Sequence, residues 1–246
     1  MKKVLQHQKY RNYRFGSFSA IPNEDLELLT EMIKDFVPRQ TGTLYGRGVV
    51  RYCNLPNLGK VVIKQYLRGG LLGNLIGSAY FKLGSSRAET ELSFLQEALE
   101  SNIRVPAPLI AIEEGKHFYR AWLVLQEIPE ARNLVDIANK DEAIARVVVE
   151  QSAKEIAKLI KARILHVDLH PGNVIVSAEN EVYLIDFDKA RRFKGRLRGL
   201  RDYYLCRWRR ACLKHALPEF VNEIMSLNLR RLDAWEEIGE AHVSRG

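Results

Sequence analysis

The chain reads HVDLHPGN at residues 166–173 and IDFD at residues 185–188. Two short β-branched runs around a polar turn separate these stretches, which predicts a β-hairpin between them. Asp168 then lies before the hairpin, Asn173 at its start and Asp186 just after it. Phosphoryl transfer from ATP needs one acid that accepts a hydroxyl proton. It also needs groups that hold Mg²⁺ on a polyphosphate, here an amide and a second acid. The alternative, that Asp168 and Asn173 only cap turns, is disfavoured by their joint spacing.

This layout resembles the H-R-D-L-x-x-x-N loop and the D-F-G motif of protein kinases. A further feature is KVVIK at residues 60–64, which resembles the strand motif V-A-I-K and makes Lys64 a candidate phosphate ligand. A lysine inside a β-branched run needs an anion beside it, because a buried ammonium without a partner is costly. We expect Glu91 on the following helix to be that partner, with Glu89 as the rival.

Two histidines accompany the acids of the 166–173 segment. We expect His166 to be a packed, hydrogen-bonded scaffold residue rather than a base. His170 follows Asp168 at the position where protein kinases usually carry a lysine that touches the γ-phosphate. Two roles stay open for His170: it substitutes for that contact, or it only shapes the loop.

A glycine-rich segment and a basic segment lie near these motifs. Gly46, Arg47 and Gly48 precede the lysine strand, and glycines let backbone amides approach phosphates closely. A plain hairpin turn has the same composition. The dense basic run at residues 191–201 follows Asp186 and favours a phosphorylated or acidic acceptor, or a membrane surface. A solvated basic face is the equally weighted alternative.

Three arginines are candidates for contact with an acceptor molecule. Arg196 and Arg198 belong to the basic run, and Arg68 opens a glycine-rich, uncharged stretch at residues 69–81. This stretch either dips into lipid or packs on the helix that follows it.

The composition restricts the possible partners. The chain has 246 residues, of which 46% are hydrophobic, enough for one two-lobed unit or two small domains. The net charge of +8 favours anionic partners. No motif typical of nucleic-acid-binding domains accompanies this charge, so we expect no nucleic acid partner. We also infer no obligate protein partner. The three cysteines suit reduced thiols in a cytoplasmic protein. We expect no signal peptide and no transmembrane segment, so any membrane association is peripheral.

The pattern of secondary structure changes near residue 129. Strands and a main helix at residues 86–101 precede this point, and a long helix at residues 141–163 follows it. We therefore predict an α+β fold with domains 1–128 and 129–246, a β-rich N-lobe and a mostly helical C-lobe with a cleft between them. The other predicted elements are a helix at residues 23–36 and strands at residues 47–52, 60–66, 109–112 and 118–126, of which the first two strands form a hairpin.

From about residue 46 to about residue 214 the chain resembles the lipopolysaccharide kinases of Gram-negative bacteria, most of all the 3-deoxy-D-manno-octulosonic acid (Kdo) kinases. The loop motif is shared with aminoglycoside and RIO-type kinases, so it indicates only the superfamily. YLRGGL at residues 66–71 and EIPEAR at residues 127–132 are more specific. The basic helix departs from the family at Tyr204 and Ala211, where Asn and Ser are usual. The other matching stretches are residues 46–48, 91–92, 105–108, 119–121, 166–173, 186–188 and 205–210.

The resemblance implies a protein-kinase-like fold and phosphorylation of a Kdo hydroxyl on a lipid A precursor. It also implies ATP and Mg²⁺ as cofactors, and a peripheral location at the cytoplasmic face of the inner membrane. The implied roles are phosphate positioning by Lys64, orientation of Lys64 by Glu91, proton acceptance by Asp168, and magnesium ligation by Asn173 and Asp186.

The resemblance further implies that adenine binds at the backbone of Glu127 and Ile128. Two rivals share the fold: a lipopolysaccharide heptose kinase and a RIO-type protein kinase. A rival of another class is a non-catalytic nucleotide- or lipopolysaccharide-binding pseudokinase. The presence of Lys64, Asp168 and the other motif residues argues against this last rival, because pseudokinases usually lose one of them.

Overall fold

The computed structural model describes residues 3–34, 49–66, 80–81, 85–115 and 118–231 of the chain. The chain divides into two compact units, Met1–Gln96 with Pro106–Glu127, and Glu97–Val105 with Ile128–Gly246. Antiparallel strands and helices occur together, which confirms the predicted α+β class. Within the described ranges, no helix is long and apolar enough to cross a membrane.

The first unit is built on an antiparallel sheet with the strand order β1-β2-β6-β7-β4-β3, with β5 paired to β7. Its helices are α1 (Asn23–Lys34) and the greater part of α2 (Arg87–Glu100), which continues into the second unit from Glu97. The predicted hairpin around the lysine strand is confirmed, because β3 and β4 pair from Val49↔Gln65 to Leu55↔Gly59. The strands are β1 (Gln6–Tyr10), β2 (Tyr13–Ser17), β3 (Val49–Leu55), β4 (Gly59–Gln65), β5 (Tyr80–Phe81), β6 (Pro108–Glu114) and β7 (Phe118–Gln126).

The core of this sheet follows from the spacing of its apolar residues. In α1, Leu26, Leu29 and Ile33 recur at helical spacing and are all buried. In β4, Val61 and Ile63 alternate with more exposed neighbours and join the same core cluster. The alternation places Lys64 on the opposite face of β4 from these two residues.

The second unit combines helices with short strands. Its helices are α3 (Leu134–Lys140), α4 (Glu142–Lys161), α5 (Leu197–Lys214) and α6 (Glu219–Arg230). One small sheet has the order β11-β10-β8, and another pairs β12 with β9. The antiparallel pair β10–β11 confirms the hairpin predicted between the two sequence motifs. The strands are β8 (Arg132–Asn133), β9 (Ile164–Leu165), β10 (Val174–Val176), β11 (Val182–Leu184) and β12 (Arg191–Arg192).

The long helix α4 is delimited by its end groups. The Asp141 side chain accepts a hydrogen bond from the Ile144 backbone N–H at 3.0 Å, which caps the N-terminus. At the other end Arg163 adopts a left-handed backbone with φ 55°, which stops the helical hydrogen bonding. The chain then enters β9 and the 166–173 loop, so the end of α4 sets where that loop begins.

Candidate active site

The hairpin holds two candidate metal ligands at the same end. Val174 pairs with Leu184, and the Ile185 N–H donates to the Asn173 carbonyl oxygen at 3.1 Å, which extends the ladder by one step. Asn173 and Asp186 therefore flank the open end of the hairpin. Asp186 has a φ of 68°, a left-handed conformation that costs free energy in a residue with a side chain. Such strain is typical of functional sites.

The amide of Asn173 has a fixed orientation. Asn173 is buried, and its Nδ2 donates to the backbone oxygen of Asp168 at 2.8 Å. Since a carbonyl oxygen accepts, the nitrogen and not the oxygen of the amide must face it. No described residue donates a hydrogen bond to the Asn173 Oδ1. The oxygen is thus left for another partner, while the nitrogen fixes the loop at Asp168.

His170 shapes the loop between these residues. Its Nδ1 accepts a hydrogen bond from the Gly172 N–H at 3.0 Å, at the start of the 3₁₀ turn Pro171–Asn173. A Cβ on Gly172 would lie 2.8 Å from the His170 Cε1, so a larger residue there would displace the His170 ring. Burial, followed by the nearby His215, lowers the pKa of His170. The observed contacts match the loop-shaping alternative.

His166 lies in the scaffold beneath the loop. Its ring is buried, with Nε2–H donating to the Ile185 carbonyl oxygen at 2.9 Å and its edge against Phe187 at a centroid distance of 4.6 Å. Burial lowers the pKa of His166 to about 4, so the ring is neutral near pH 7. This is the packed, hydrogen-bonded role expected from the sequence.

Helix α5 holds the loop through three side chains. The Tyr203 hydroxyl donates to the Val167 carbonyl oxygen at 2.6 Å, and Arg207 forms an ion pair with the carboxylate of Asp168. The Tyr204 hydroxyl also contacts the backbone of this segment. No sequence motif indicated these contacts. The i, i+4 spacing of Tyr203 and Arg207 indicates a shared helix face, but not which loop that face meets.

The lysine strand carries an ion pair in the first unit. The Lys64 Nζ lies 3.1 Å from both carboxylate oxygens of Glu91, and the Tyr66 hydroxyl donates to the same carboxylate. Glu91 is buried and Lys64 is 20% exposed on its side chain. Glu89 binds His7 and Arg14 instead, each at 2.7 Å. Of the two candidates weighed from the sequence, the structure therefore pairs Lys64 with Glu91.

The other candidate nucleotide- and acceptor-binding residues make fewer contacts within the protein. The Glu127 N–H donates to the Lys60 carbonyl oxygen at 3.0 Å, and Glu127 and Ile128 are both half-buried. Arg196 and Arg198 are exposed, and no hydrogen bond or ion pair joins the side chain of either to another described residue. Four candidates lie outside the described residues: Gly46, Arg47, Gly48 and Arg68.

The geometry thus forms two separate sets of residues. In the second unit, Asp168, Asn173 and Asp186 come together around the hairpin. In the first unit, Lys64 and Glu91 pair across a strand and a helix. An acid on a loop, an oriented amide oxygen and a second acid can accept a hydroxyl proton and hold a divalent cation with a phosphate.

Comparison with known proteins finds similar sequences over most of the chain. Residues 39–216 match the family model described as "Lipopolysaccharide kinase (Kdo/WaaP) family". A 3-deoxy-D-manno-octulosonic acid kinase of Vibrio parahaemolyticus is 29% identical over 80% of this chain and 77% of its own length. One from Vibrio vulnificus is 32% identical over 76% of this chain and 80% of its own. One from Xanthomonas oryzae pv. oryzae is 31% identical over 69% of this chain and 64% of its own.

Proposed function

Because this chain belongs to the lipopolysaccharide kinase (Kdo/WaaP) family, we propose that it transfers the γ-phosphoryl group of ATP to a Kdo hydroxyl on a lipid A precursor. The similar proteins named 3-deoxy-D-manno-octulosonic acid kinase support the choice of acceptor. The residues around the hairpin support the chemistry. Residues 1–128 and 129–246 act as N-lobe and C-lobe in this proposal.

Asp168 is the proposed base. Its side chain is 43% exposed, so a hydroxyl can approach it, while its backbone oxygen is fixed by the Asn173 amide. A base needs both access and a defined position, because proton transfer requires hydrogen-bond contact with the reacting hydroxyl. These two properties distinguish Asp168 from His166, which is buried and already donates to a carbonyl oxygen.

The orientation of the Asn173 amide is the observation on which the proposal chiefly rests. With Nδ2 fixed on the loop, Oδ1 and the Asp186 carboxylate offer oxygens from the same end of the hairpin. Mg²⁺ is usually bound by one or two such protein oxygens together with phosphate and water. Bound there, Mg²⁺ would neutralise phosphate charge and align the γ-phosphoryl group.

Lys64 and Glu91 are proposed to serve the nucleotide. The buried Glu91 carboxylate holds the Lys64 ammonium in place before the nucleotide binds. Binding of the α- and β-phosphates by Lys64 therefore costs less conformational entropy than binding by a mobile lysine. Adenine is proposed to bind at the backbone of Glu127 and Ile128. The segment Gly46–Gly48, outside the described residues, is proposed to cover the phosphates.

The protein is proposed to act as a peripheral protein at the cytoplasmic face of the inner membrane, where its lipid-linked acceptor lies. The net charge of +8 favours an anionic surface. Helix α5 exposes Arg209 and Arg210 together with Leu213, whose exposure is 73%. Arg196 and Arg198 at the start of the same helix, with Arg68, are the proposed acceptor contacts.

The test is ATP turnover with three acceptors: Kdo-bearing lipid A precursor, heptosylated core and a generic protein. We expect turnover only with the first. Asp168→Asn should abolish turnover and leave Mg·ATP binding intact, because the metal ligands remain. Turnover on heptosylated core or on protein would instead identify a heptose kinase or a protein kinase. If no acceptor is phosphorylated, the proposed activity is wrong.

A further inference from the structure

The ion pair between Arg207 and Asp168 places a cation directly on the proposed base. Arg207 projects from α5 and donates through Nη2 to the Asp168 Oδ1. Both side chains remain partly accessible, at 33% for Arg207 and 43% for Asp168. A hydroxyl that reaches the Asp168 carboxylate therefore arrives beside a guanidinium. The family resemblance and the sequence motifs assign no role to this arginine.

The guanidinium of Arg207 is not saturated by this contact. A guanidinium carries five N–H donors in a planar fork. Among the described residues, the Asp168 carboxylate is the acceptor that Arg207 contacts, and its Nε is buried without a hydrogen-bond partner. A buried donor without an acceptor is unfavourable, so a small shift of the guanidinium toward a second anion would be favourable.

Further positive charge from the end of α5 lies near His170, on the same loop as Asp168. Lys214 and His215 lie close enough to His170 that their charges lower its pKa, after the larger effect of burial. The rings of His170 and His215 are 6.4 Å apart. The negative charge of Asp186 acts in the opposite direction and raises the pKa of His170. The C-terminal end of α5 thus brings positive charge to the loop that carries Asp168.

The position of Arg207 is also well defined. Tyr203 precedes it by one helical turn and is anchored on the Val167 carbonyl oxygen. Trp208, the next residue, is buried and donates to the Val221 carbonyl oxygen at 3.2 Å. The helix therefore holds Arg207 at a fixed distance from the loop, as a selective contact requires.

We propose that Arg207 binds the carboxylate of the acceptor sugar beside the hydroxyl presented to Asp168, and so selects an acidic sugar as acceptor. This inference rests on the proposed function, because it names the part of the acceptor that the same site recognises. One edge of the guanidinium stays on Asp168 while the other N–H groups pair with the sugar carboxylate. Arginine suits this role because its planar fork offers donors along more than one edge, a two-pronged geometry that lysine lacks.

The experiment compares two acceptors with three forms of the protein. The acceptors are a Kdo-bearing lipid A precursor and the same molecule with the sugar carboxylate converted to its methylamide. The proteins are wild type, Arg207→Met and Arg207→Lys. Arg230→Met serves as the control, because Arg230 is exposed at the end of α6 and loses the same charge. Circular dichroism and thermal unfolding of each variant check that it is folded.

We expect wild type to lose about 10- to 100-fold in kcat/KM on the methylamide, the range for one charge-assisted hydrogen bond. Arg207→Met should lose a similar factor on the native acceptor and nothing further on the methylamide. Arg207→Lys should recover part of the loss on the native acceptor alone. If Arg207→Met instead lowers kcat/KM by the same factor on both acceptors, the losses from the mutation and from the methylamide are independent. That result would show that Arg207 does not bind the carboxylate.

A binding measurement without nucleotide separates this inference from the proposed function. A soluble Kdo glycoside and its methylamide are titrated calorimetrically into wild type and Arg207→Met. Wild type should prefer the acid, and Arg207→Met should bind both compounds equally. The absence of that preference in wild type overturns the inference even when the enzyme phosphorylates Kdo. A clear preference without any turnover would support the inference and overturn the proposed activity.

Discussion

The Tyr204 hydroxyl accepts a hydrogen bond from the His166 backbone N–H at 2.9 Å and donates to the Ile164 carbonyl oxygen at 2.6 Å. One buried side chain of α5 thus satisfies two backbone groups at the start of the 166–173 loop. Burial raises the pKa of the Tyr204 hydroxyl, so it stays protonated and able to donate.

Replacing Tyr204 by Phe should therefore destabilise the protein. The change leaves the N–H of His166 and the carbonyl of Ile164 buried without a partner, at a cost of about 1–3 kcal/mol. Tyr183→Phe is the matched control, because its hydroxyl pairs with the half-exposed Glu181 and its loss should cost under about 0.5 kcal/mol. Urea unfolding of both variants measures the difference. Equal stabilities would show that water replaces the lost hydroxyl.

The pairing of Lys64 with Glu91 predicts strong coupling in activity. Lys64→Ala and Glu91→Ala should each lower kcat/KM for ATP, and the double variant should be little worse than Lys64→Ala alone. The reason is that a Lys64 without its buried partner no longer holds its position. Steady-state kinetics with varied ATP at saturating acceptor gives the coupling energy.

Glu89→Ala supplies the control for this cycle. Its carboxylate binds His7 and Arg14, so its removal should loosen the hairpin β1–β2. The losses of kcat/KM caused by Glu89→Ala and Lys64→Ala should be additive. Additive losses for Lys64 and Glu91 would mean that the ion pair does not act in catalysis.

The low pKa of His166 predicts a loss of stability in acid. Its folded-state pKa of about 4 lies below the ordinary value of 6.5, so the unfolded chain binds the proton more readily. Stability should therefore fall as pH decreases from about 6.5 to about 4, by about 1.4 kcal/mol per pH unit at most. Burial is the main cause, and the nearby charge of Asp186 acts in the opposite direction.

The measurement is urea unfolding across this pH range for wild type and His166→Gln. Glutamine keeps a donor for the Ile185 carbonyl oxygen but does not titrate. The stability difference between the two proteins should shrink or reverse toward low pH. Parallel curves for the two proteins would contradict the neutral, buried state of His166.

Membrane association should depend on charge. Wild type is expected to sediment with vesicles containing anionic phospholipid and to dissociate in high salt, because salt screens surface attraction. The double variant Arg209→Gln/Arg210→Gln should bind more weakly, by about 1 kcal/mol for each cation that lies at the surface. Lys140→Gln/Lys154→Gln removes the same charge from exposed sites on α3 and α4 and is the control. Equal losses in both double variants would mean that net charge, not the α5 surface, drives binding.

The sequence predicted elements with strong periodicity well. The hairpins β3–β4 and β10–β11 were expected from their β-branched runs, and helix α4 from its apolar spacing. The first hairpin β1–β2 was not predicted. β1 is an edge strand with mostly exposed residues, and its turn uses Arg11 with a φ of 52° rather than a glycine. The sequence therefore shows neither the alternation of apolar and polar residues nor the glycine turn that usually indicates a hairpin.

The site was predictable only as far as its local motifs extend. Asp168, Asn173 and Asp186 lie within one short segment, so their spacing alone indicated a shared site. Arg207 is separated from Asp168 by 39 residues and meets it only because α5 packs on the loop. Such a contact depends on helix packing, which a sequence pattern does not encode. The choice between Glu91 and Glu89 likewise needed the structure.

Arg196 and Arg198 are expected to bind the acceptor. Arg196 is the residue at the N-terminus of α5, and its side chain makes no capping hydrogen bond. Arg198 follows in the first turn, and both are exposed. Two cations that serve no described internal contact are available for the phosphate groups of a lipid A precursor.

Arg196→Ala/Arg198→Ala should raise KM for the lipid acceptor more than KM for ATP. The expected increase is about 2- to 30-fold, since exposed ion pairs contribute about 0.2–1 kcal/mol each. The double change to Lys should restore only part of it, because lysine lacks the two-pronged geometry of arginine. Lys140→Ala/Lys154→Ala should leave both constants unchanged. Steady-state kinetics with each substrate varied in turn decides the matter: if KM for ATP rises and KM for the acceptor does not, the start of α5 serves the nucleotide instead.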